Sequence, residues 1–495
     1  MSRPAPDASV LRHGEARAWA THWAQRWFVG PDGRDRFRVG TTDAGWATHV
    51  EAYLLLLDVA GATSRRRLTL PSPAGWLKAH GFDRAIRAGL LRRVTDAPLA
   101  PASVAVVAEI PTPSMLGPAT RVARAAHPGV AVAVADPRAA RRLRREGLAP
   151  HALTVARAEE RRLLTGARTG LGAAWDALRA APPEMPLGDR DLAHAALERL
   201  GPLVRRSMPY LAPETAAIER FLDATAPAGV AIASDQHRIG RLVVAAARAR
   251  GIRSVVLQHG LPQSRIGYLP VVADAVAAWS PASRDWFVDG GTAPDRVVVT
   301  GNPRADALAT TSPVPSGPQH VVLALSPTAQ TTNELLVRDV VASLDALPGA
   351  RLTIKLHPGQ GDWSFVGGIV RGANDPGRVA VLRHEPLYPL LASASVVVVH
   401  RSSVAVEAMV ARRPVIVHRA GGEPTTADLE LADLDLRVTE RALDLAAAVD
   451  ELSRSVAADA YLAARATQLE RIAGPLDGRS TERIVTLVRD GILGA

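Results

Sequence analysis

Two side chains able to carry positive charge or donate hydrogen bonds close the run "RLTIKLHPGQ" (351–360), namely Lys355 and His357. The chain has only two lysines, Lys78 and Lys355, within a Lys+Arg total of 59, so a lysine at this point stands out. Alternation along a strand predicts that both side chains point to one side near its end, and Pro358 stops the ladder. Groups of this type neutralise phosphate and would stabilise a departing nucleotide without a metal ion.

"HRSSVAVEAM" (400–409) offers a partner for that chemistry. Ser402 or Ser403 is a natural N-cap for the helix continuing through "VAVEAMVA". A helix N-terminus presents free N–H groups and positive dipole, and two hydroxyls add donors, which predicts a phosphate cradle. Glu407 is not spaced as a capping-box acid. Facing a crevice it could accept both hydroxyls of a ribose, as acids do in dinucleotide folds; otherwise it is an exposed Glu on a capped helix. Ser326, which opens "SPTAQTTNE" (326–334), joins this donor-side set.

His259, in "LQHG" (257–260), is suited to take a proton from an acceptor hydroxyl as general base. Asp235, in "ASDQH" (233–237), ends the preceding strand and could orient His259 or share its role. Alternatively His259 meets the donor through its turn, with Gly260 permitting close backbone approach. No P-loop, Gly-rich dinucleotide fingerprint, GxSxG elbow or HExxH is present. "DLD" (433–435) lies in an apolar-alternating run and reads as strand punctuation, so no metal is assigned and no cofactor is expected.

Strands must position these groups. From about residue 100, short β-branched runs alternate with longer Ala/Leu/Arg helices, the pattern of parallel α/β units. The first series is "SVAVVAEI" (103–110), "GVAVAVA" (129–135), "LTVARA" (153–158), "GVAIAS" (229–234), "RSVVLQ" (253–258), "DAVAAW" (274–279) and "RVVVT" (296–300). The second is "HVVLAL" (320–325), "RLTIKL" (351–356), "RVAVL" (378–382), "ASVVVV" (394–399) and "PVIV" (414–417). "ATTSPVPSGPQ" (309–319) between them reads as a linker. The expected organisation is an N-terminal helical or irregular extension (1–100), an acceptor-side Rossmann-like domain (101–308), the linker, and a nucleotide-donor Rossmann-like domain with terminal helices (320–495). Two doubly wound parallel sheets would face a cleft, with ligand at the carboxyl ends of strands.

Composition narrows the function classes. Length 495 and 47% hydrophobic residues allow two or three full cores. Absence of cysteine excludes disulfides, thiolate metal sites and a Cys nucleophile, and fits a cytosolic protein. No signal peptide or membrane span is expected. A net charge of +10 invites a nucleic-acid reading, but Arg is dispersed and aromatics are 4%, leaving few platforms for bases. The charge suits anionic lipid or a phosphorylated substrate, and so peripheral attachment to the inner face of the cell membrane. Trp19, Trp23 and Trp27 stand four apart with Arg12, Arg17 and Arg26 nearby, as on an interfacial helix. The commoner fate of such a stripe is packing in a core. "RAARRLRREG" (138–147) is a second basic helix, most simply a solvated face.

The order "QHG", "GNPRAD" (301–306), "KLHP" (355–358), "SSVAVEAM", "RRPVIV" (412–417) is similar to GT-B transferases of bacterial surface polymers. The group comprises CDP-glycerol glycerophosphotransferases of teichoic acid synthesis, polysialyltransferases and capsule polysaccharide transferases, and the resemblance spans about residues 229 to 418. It implies His259 and His357 as the functional pair, Ser402 and Ser403 on the donor phosphate, and Glu407 on the ribose. Gln258 stands where the glycerophosphotransferases have Trp, and Val406–Glu407 where they have an aromatic-acid pair, which favours a sugar nucleotide over a glycerol-phosphate donor. The resemblance thus implies a metal-independent glycosyltransferase using a CMP-, CDP- or UDP-activated sugar. Its acceptor would be an anionic glycan or lipid-linked saccharide of the cell envelope. A polyol-phosphate transferase, an enzyme like UDP-N-acetylglucosamine 2-epimerase, and a degenerate non-catalytic transferase are the alternatives; of the epimerases' "HRxEN", "SPTAQTTNE" retains only "NE".

Overall fold

The computed structural model describes residues 8–61, 90–91, 99–262, 265, 267–309, 317–326, 328–357, 363–421, 424–427 and 431–491. Lys78, Pro358, much of the extension before residue 100 and much of the linker lie outside the described residues.

Strands β1 (Val104–Ala108), β2 (Val130–Val134), β3 (His151–Ala152), β4 (Gly229–Ile232), β5 (Arg253–Leu257), β6 (Ala275–Ala278) and β7 (Val297–Val299) form one sheet in the order β7-β6-β5-β4-β1-β2-β3. From β6 to β3 the pairing is parallel throughout. The second sheet holds β8 (His320–Ala324), β9 (Arg351–Lys355), β10 (Val379–Leu382), β11 (Val396–Val399), β12 (Val415–His418) and β13 (Arg437–Thr439). Its order is β10-β9-β8-β11-β12-β13, again all parallel.

Uninterrupted apolar runs make such strands because both faces are covered. All five residues of β1 and all four of β11 are buried. In β8, Val321 and Leu323 enter one core with Leu352 and Ile354, while Val322 and Ala324 enter another with Val397 and Val399. That is the period-two alternation of a strand between two layers. In each sheet the chain begins inside, winds out through two strands, then returns to the first strand's other flank. The order therefore reverses between β1 and β4, and between β8 and β11. Ligands in open α/β sheets bind beyond the carboxyl ends of the strands at such switch points.

The two expected doubly wound sheets are present, with local differences. Of "LTVARA", only the preceding His151–Ala152 pairs, and Arg157–Ala180 is a helix. "DLD" does not punctuate a strand: Ala432–Leu434 is a 3-10 turn and Asp435 is left-handed, with φ of 47°. Its carboxylate pairs with Arg465 at 3.2 Å, and β13 follows as an unforeseen edge strand.

Two compact units result, one of residues 1–277, 287–298 and 484–495, the other of 278–286 and 299–483. The sequence boundaries had placed 299–308 and 484–495 the other way. Residues 299–308 go with the second unit, where Asp306 accepts the N–H groups of Ser480 (3.0 Å) and Thr481 (2.9 Å). The chain's end goes with the first, because Ile484, Leu487 and Val488 fill its core. Gly229, at the start of β4, makes room for that segment: a Cβ there would lie 1.9 Å from the Val488 carbonyl oxygen.

Two of the three stripe tryptophans are packed, and Trp23 is half-buried. Helix α1 (Ala8–Ala24) ends before Trp27, which is 1% exposed and 5.1 Å from Phe37 between ring centroids; Trp19 is 7% exposed. The two buried rings belong to the core and are closed to a membrane surface. No helix among the described residues is long and apolar enough to cross a membrane. In the basic helix Pro137–Arg145, Asp136 caps the first turn while Ala139, Ala140 and Leu143 face the core, leaving its arginines largely on the solvated side.

Candidate functional site

At the carboxyl edge of the second sheet, Ser326 lies just beyond β8, and His400 to Ser403 just beyond β11, on the two flanks of the switch point. Ser326 is buried, its carbonyl accepting from Thr328 N (2.8 Å) and Asn333 Nδ2 (3.0 Å). His400 is 2% exposed, with Nδ1 3.0 Å from the His418 carbonyl. A carbonyl only accepts, so Nδ1 carries a proton; Nε2 has no partner. Helix α2 (Val404–Val410) is seven residues long, and its N-cap Ser403 makes no side-chain cap bond.

The turn differs from the expected cradle of free N–H groups. Thr426 crosses it and takes the Ser402 N–H at 2.7 Å, and Ser402 Oγ takes the Val404 N–H at 3.2 Å. Ala405 and Val406 donate to the Ser402 and Ser403 carbonyls. What the turn presents is hydroxyl groups, with Ser403 exposed and Ser402 half-buried.

Glu407 is not the exposed acid of a plain capped helix. Its Oε1 is 3.3 Å from Arg304 Nη2 and 3.5 Å from the Tyr388 hydroxyl. Burial pushes its pKa up, and Arg304 and Tyr388 oppose that. Arg304 belongs to "GNPRAD", where the Asn302 side chain accepts its N–H at 3.0 Å and fixes the turn.

The opening pair does not share one regular strand. Strand β9 ends at Lys355, so His357 lies past the regular alternation. Lys355 Nζ donates to the carbonyls of Arg383 (2.8 Å) and Leu356 (3.4 Å). It ties the chain after β9 to the chain after β10. Burial lowers its pKa, against the pull of Glu385. His357 is half-buried, its carbonyl accepting from Trp363 Nε1 at 3.2 Å; burial and Lys355 both lower its pKa.

At the carboxyl edge of the first sheet, His259 stacks on Tyr268 with centroids 4.5 Å apart and planes 3° from parallel. Burial and nearby His237 depress its pKa to about 4, against a hydrogen bond to Ala233. Asp235 does not orient it. That carboxylate, 2% exposed, accepts from Val272 N (2.5 Å), Ala273 N (3.0 Å) and Gln236 Nε2 (3.0 Å). Its job is to hold the chain leading into β6.

Sequence reasoning missed Glu109, the first residue beyond central strand β1. The nearby Gly240 N–H, in the first turn of helix α3 (Arg238–Arg248), works against the burial that raises the pKa of its carboxyl, and Oε1 is sealed from solvent without a partner. Gly240 brings that turn close, since a Cβ there would meet the Ser234 carbonyl oxygen at 1.8 Å. Arg238, Glu51 and Glu214 lie around it. Arg238 bonds Glu214 at 2.8 Å and approaches Glu51 at 3.9 Å. The available signal was one acid ending an otherwise apolar run, "SVAVVAEI". Among the described residues, no three His, Cys, Asp or Glu side chains are grouped to hold a metal ion.

No protein-family model and no curated protein matches the sequence. Solved structures do. The chain is similar to a candidate UDP-N-acetylglucosamine 2-epimerase from Listeria monocytogenes, at 14% identity and a TM-score of 0.51, over 79% of this chain and 96% of that one. UDP-N-acetylglucosamine 2-epimerase from Neisseria meningitidis bound to UDP-GlcNAc gives 12% identity and a TM-score of 0.49, over 77% and 98%. A glycosyltransferase from Rickettsia africae gives 13% and 0.47, over 78% and 98%. The Listeria likeness is one of fold: two Rossmann-like domains of the GT-B type.

Proposed function

We propose that this chain is a metal-independent, nucleotide-sugar-dependent enzyme that transfers a glycosyl group to a cell-surface polysaccharide or glycolipid. The observation carrying this reading is the switch point of the second sheet, where the Ser326 and Ser402–Ser403 segments meet the strand ends and Glu407 is held by Arg304. A hydroxyl-lined turn beside a fixed carboxylate suits the phosphates and ribose of a nucleotide. Ser402 and Ser403 would donate to the phosphates, Glu407 would accept from the ribose hydroxyls, and His357 would donate to the departing phosphate. On the first sheet, His259 is neutral at physiological pH and would shape the acceptor pocket with Tyr268. A net charge of +10 suits work beside anionic lipid at the inner membrane face. The fold relative's name favours UDP over CMP or CDP, and keeps sugar epimerisation as the second reading.

Thermal unfolding with UDP, CDP and CMP, each with EDTA and with magnesium, tests the donor. A ligand at a hundredfold excess over Kd adds about 2.7 kcal/mol. The expected result is a shift with UDP that EDTA leaves intact. A shift with CMP or CDP alone would move the donor class, and no shift would favour the degenerate transferase. Incubation with UDP-N-acetylglucosamine then separates transfer from formation of an isomerised sugar.

A further inference from the structure

We infer that the outward face of the helix Pro137–Arg145 is a docking surface for anionic phospholipid headgroups, through Arg141, Arg142, Arg144 and Arg145. The inference deepens the reading above and rests on its placement of the enzyme beside a membrane. The helix is the crossover between β2 and β3, and its nine residues, PRAARRLRR, hold five arginines and no acid. Pro137, Ala139, Ala140 and Leu143 are buried, the last three within the core of the first unit. The apolar side is thus closed off by the sheet. Arg138, Arg141, Arg142, Arg144 and Arg145 are all exposed. At about 100° per residue they spread over roughly 160° of the helix, opposite the buried side.

Bare charge sets this face apart. Asp136, 3% exposed, accepts the N–H groups of Arg138 (2.7 Å) and Ala139 (3.3 Å) and pairs with the Arg138 guanidinium at 3.3 Å. Glu146 pairs with Arg124 at 3.1 Å. Both acids flanking the helix are therefore engaged. Among the described residues, Arg141, Arg142, Arg144 and Arg145 have no ion pair. Other exposed arginines are matched, as Arg412 is with Asp459, Arg441 with Asp444, Arg454 with Asp450 and Arg479 with Glu482. Helix stability explains only part of the cluster. A cation in the last turn complements the dipole, but Arg141 with Arg144 and Arg145, and Arg142 with Arg145, are like charges at three- and four-residue spacing and repel. Folding alone does not favour that arrangement. A polyanion would relieve it.

The polyanion that fits is a surface. Four guanidiniums within about 6 Å of helix rise lie closer than the Debye length of roughly 8 Å at physiological salt, so they act together. Their face is convex and encloses no single small anion, and the helix has no aromatic side chain on which a base would stack. A layer of phosphate headgroups offers acceptors to every guanidinium at once, and each arginine near the surface adds to the attraction. With its apolar side in the core, the helix does not insert; the contact is electrostatic and weakens with salt. A crossover between parallel strands runs from their carboxyl ends back to their amino ends, so these four arginines lie in the half nearer the amino edge. Docking through them leaves the carboxyl edge of the first sheet open to an acceptor.

The test is sedimentation of the full chain with vesicles of phosphatidylcholine, with and without phosphatidylglycerol, at low and at physiological salt. The parent should bind the phosphatidylglycerol vesicles and be released as salt rises. Arg141→Gln, Arg142→Gln, Arg144→Gln and Arg145→Gln combined should weaken that binding about 100-fold or more. Gln is a good helix former and the repulsion is removed, so the thermal midpoint should not fall. A control combining Arg412→Gln, Arg441→Gln, Arg454→Gln and Arg479→Gln removes the same charge and should bind within about threefold of the parent. Parental binding in the first variant overturns the inference, and so does an equal loss in the control, which would make net charge the cause. Equal binding of the parent to vesicles lacking phosphatidylglycerol overturns it too. Tighter binding to duplex DNA than to vesicles, lost in the first variant, would overturn the lipid assignment in favour of nucleic acid. A parent that binds UDP but no vesicle ends both the docking surface and the membrane placement and leaves the donor reading standing. Vesicle binding through these arginines without UDP binding supports the docking surface and ends the donor reading.

Discussion

The two sheets share one strand order but finish their switch points in different ways. At the second, between β8 and β11, Ser402 is engaged with Thr426 and Val404 and Glu407 with Arg304 and Tyr388, while His400 Nε2 and Thr328 Oγ1 are buried without partners. At the first, between β1 and β4, Glu109 Oε1 and Arg238 Nε are buried without partners, and His259 and Glu109 have pKa values driven apart, to about 4 and about 8. Equal topology therefore does not bring equal chemistry. The difference lies in the titratable groups: the first edge holds two whose pKa values are driven apart, the second a buried acid paired with an arginine.

The largest effect that could break this contrast is expected at Arg304. Arg304→Ala leaves the Glu407 carboxylate buried with only Tyr388 beside it, and removing one partner of a buried pair costs about 3 kcal/mol. Glu407 already has a raised pKa, so its proton is bound more tightly in the folded state. Losing Arg304 raises it further, and the deficit should grow as pH rises. Denaturant midpoints from pH 5 to 8 measure this. A loss below 1 kcal/mol at every pH would mean that the second edge is no better satisfied than the first.

The first edge should show its own signature in stability against pH. Glu109 has a folded pKa raised from 4.5 to about 8, so its contribution is present at low pH and is lost as pH rises through that window. His259 has a folded pKa lowered from 6.5 to about 4, so its contribution is present above 6.5 and lost as pH falls toward 4. The two slopes oppose each other between 4.5 and 6.5. Above 6.5 Glu109 is the one of these two still titrating, and its share of the stability should fall by about 2 kcal/mol by pH 8. Glu109→Gln should flatten that alkaline fall, and His259→Gln should soften the acid one. An unchanged curve in both variants would remove the basis for the contrast between the two edges.

Asp235 sharpens the comparison on a smaller scale, because it is the satisfied acid on the otherwise unsatisfied edge. Asp235→Asn replaces one acceptor oxygen by a donor facing the Val272 and Ala273 amides, and should cost about 1–2 kcal/mol without altering the pH–rate profile. A shifted profile with stability intact would restore its expected role beside His259. The residue also shows what was legible in the sequence. β-Branched runs gave the strands, and strand-end polar residues marked both carboxyl edges, because those signals are local. Which strand-end acid is consumed by a loop and which is left bare depends on contacts far along the chain, such as Asp235 with Val272 and Glu109 with Gly240. "ASDQH" and "SVAVVAEI" look alike in this respect, and only packing separates them. The same holds for the chain's end, whose apolar face joins the first unit through Ile484, Leu487 and Val488.

Lys355 gives the smallest expected effect and the sharpest check on the second edge. Its rarity in an arginine-rich chain suggested a cation kept for phosphate, but the ammonium donates to the Arg383 and Leu356 carbonyls. A short, unbranched ammonium fits between two strand ends where a planar guanidinium has a different reach and geometry, which accounts for a lysine here. Lys355→Met keeps the aliphatic stem and removes both bonds, so stability should fall by about 1 kcal/mol, with UDP affinity unchanged within about twofold. Calorimetric titration of UDP and a denaturation curve read both quantities on one sample. A tenfold loss of affinity, equal to about 1.4 kcal/mol, would show that the ammonium leaves its carbonyls for the ligand. The second edge would then be rearranged by its nucleotide instead of preformed for it, and the difference between the two switch points would narrow to the chemistry of Glu109.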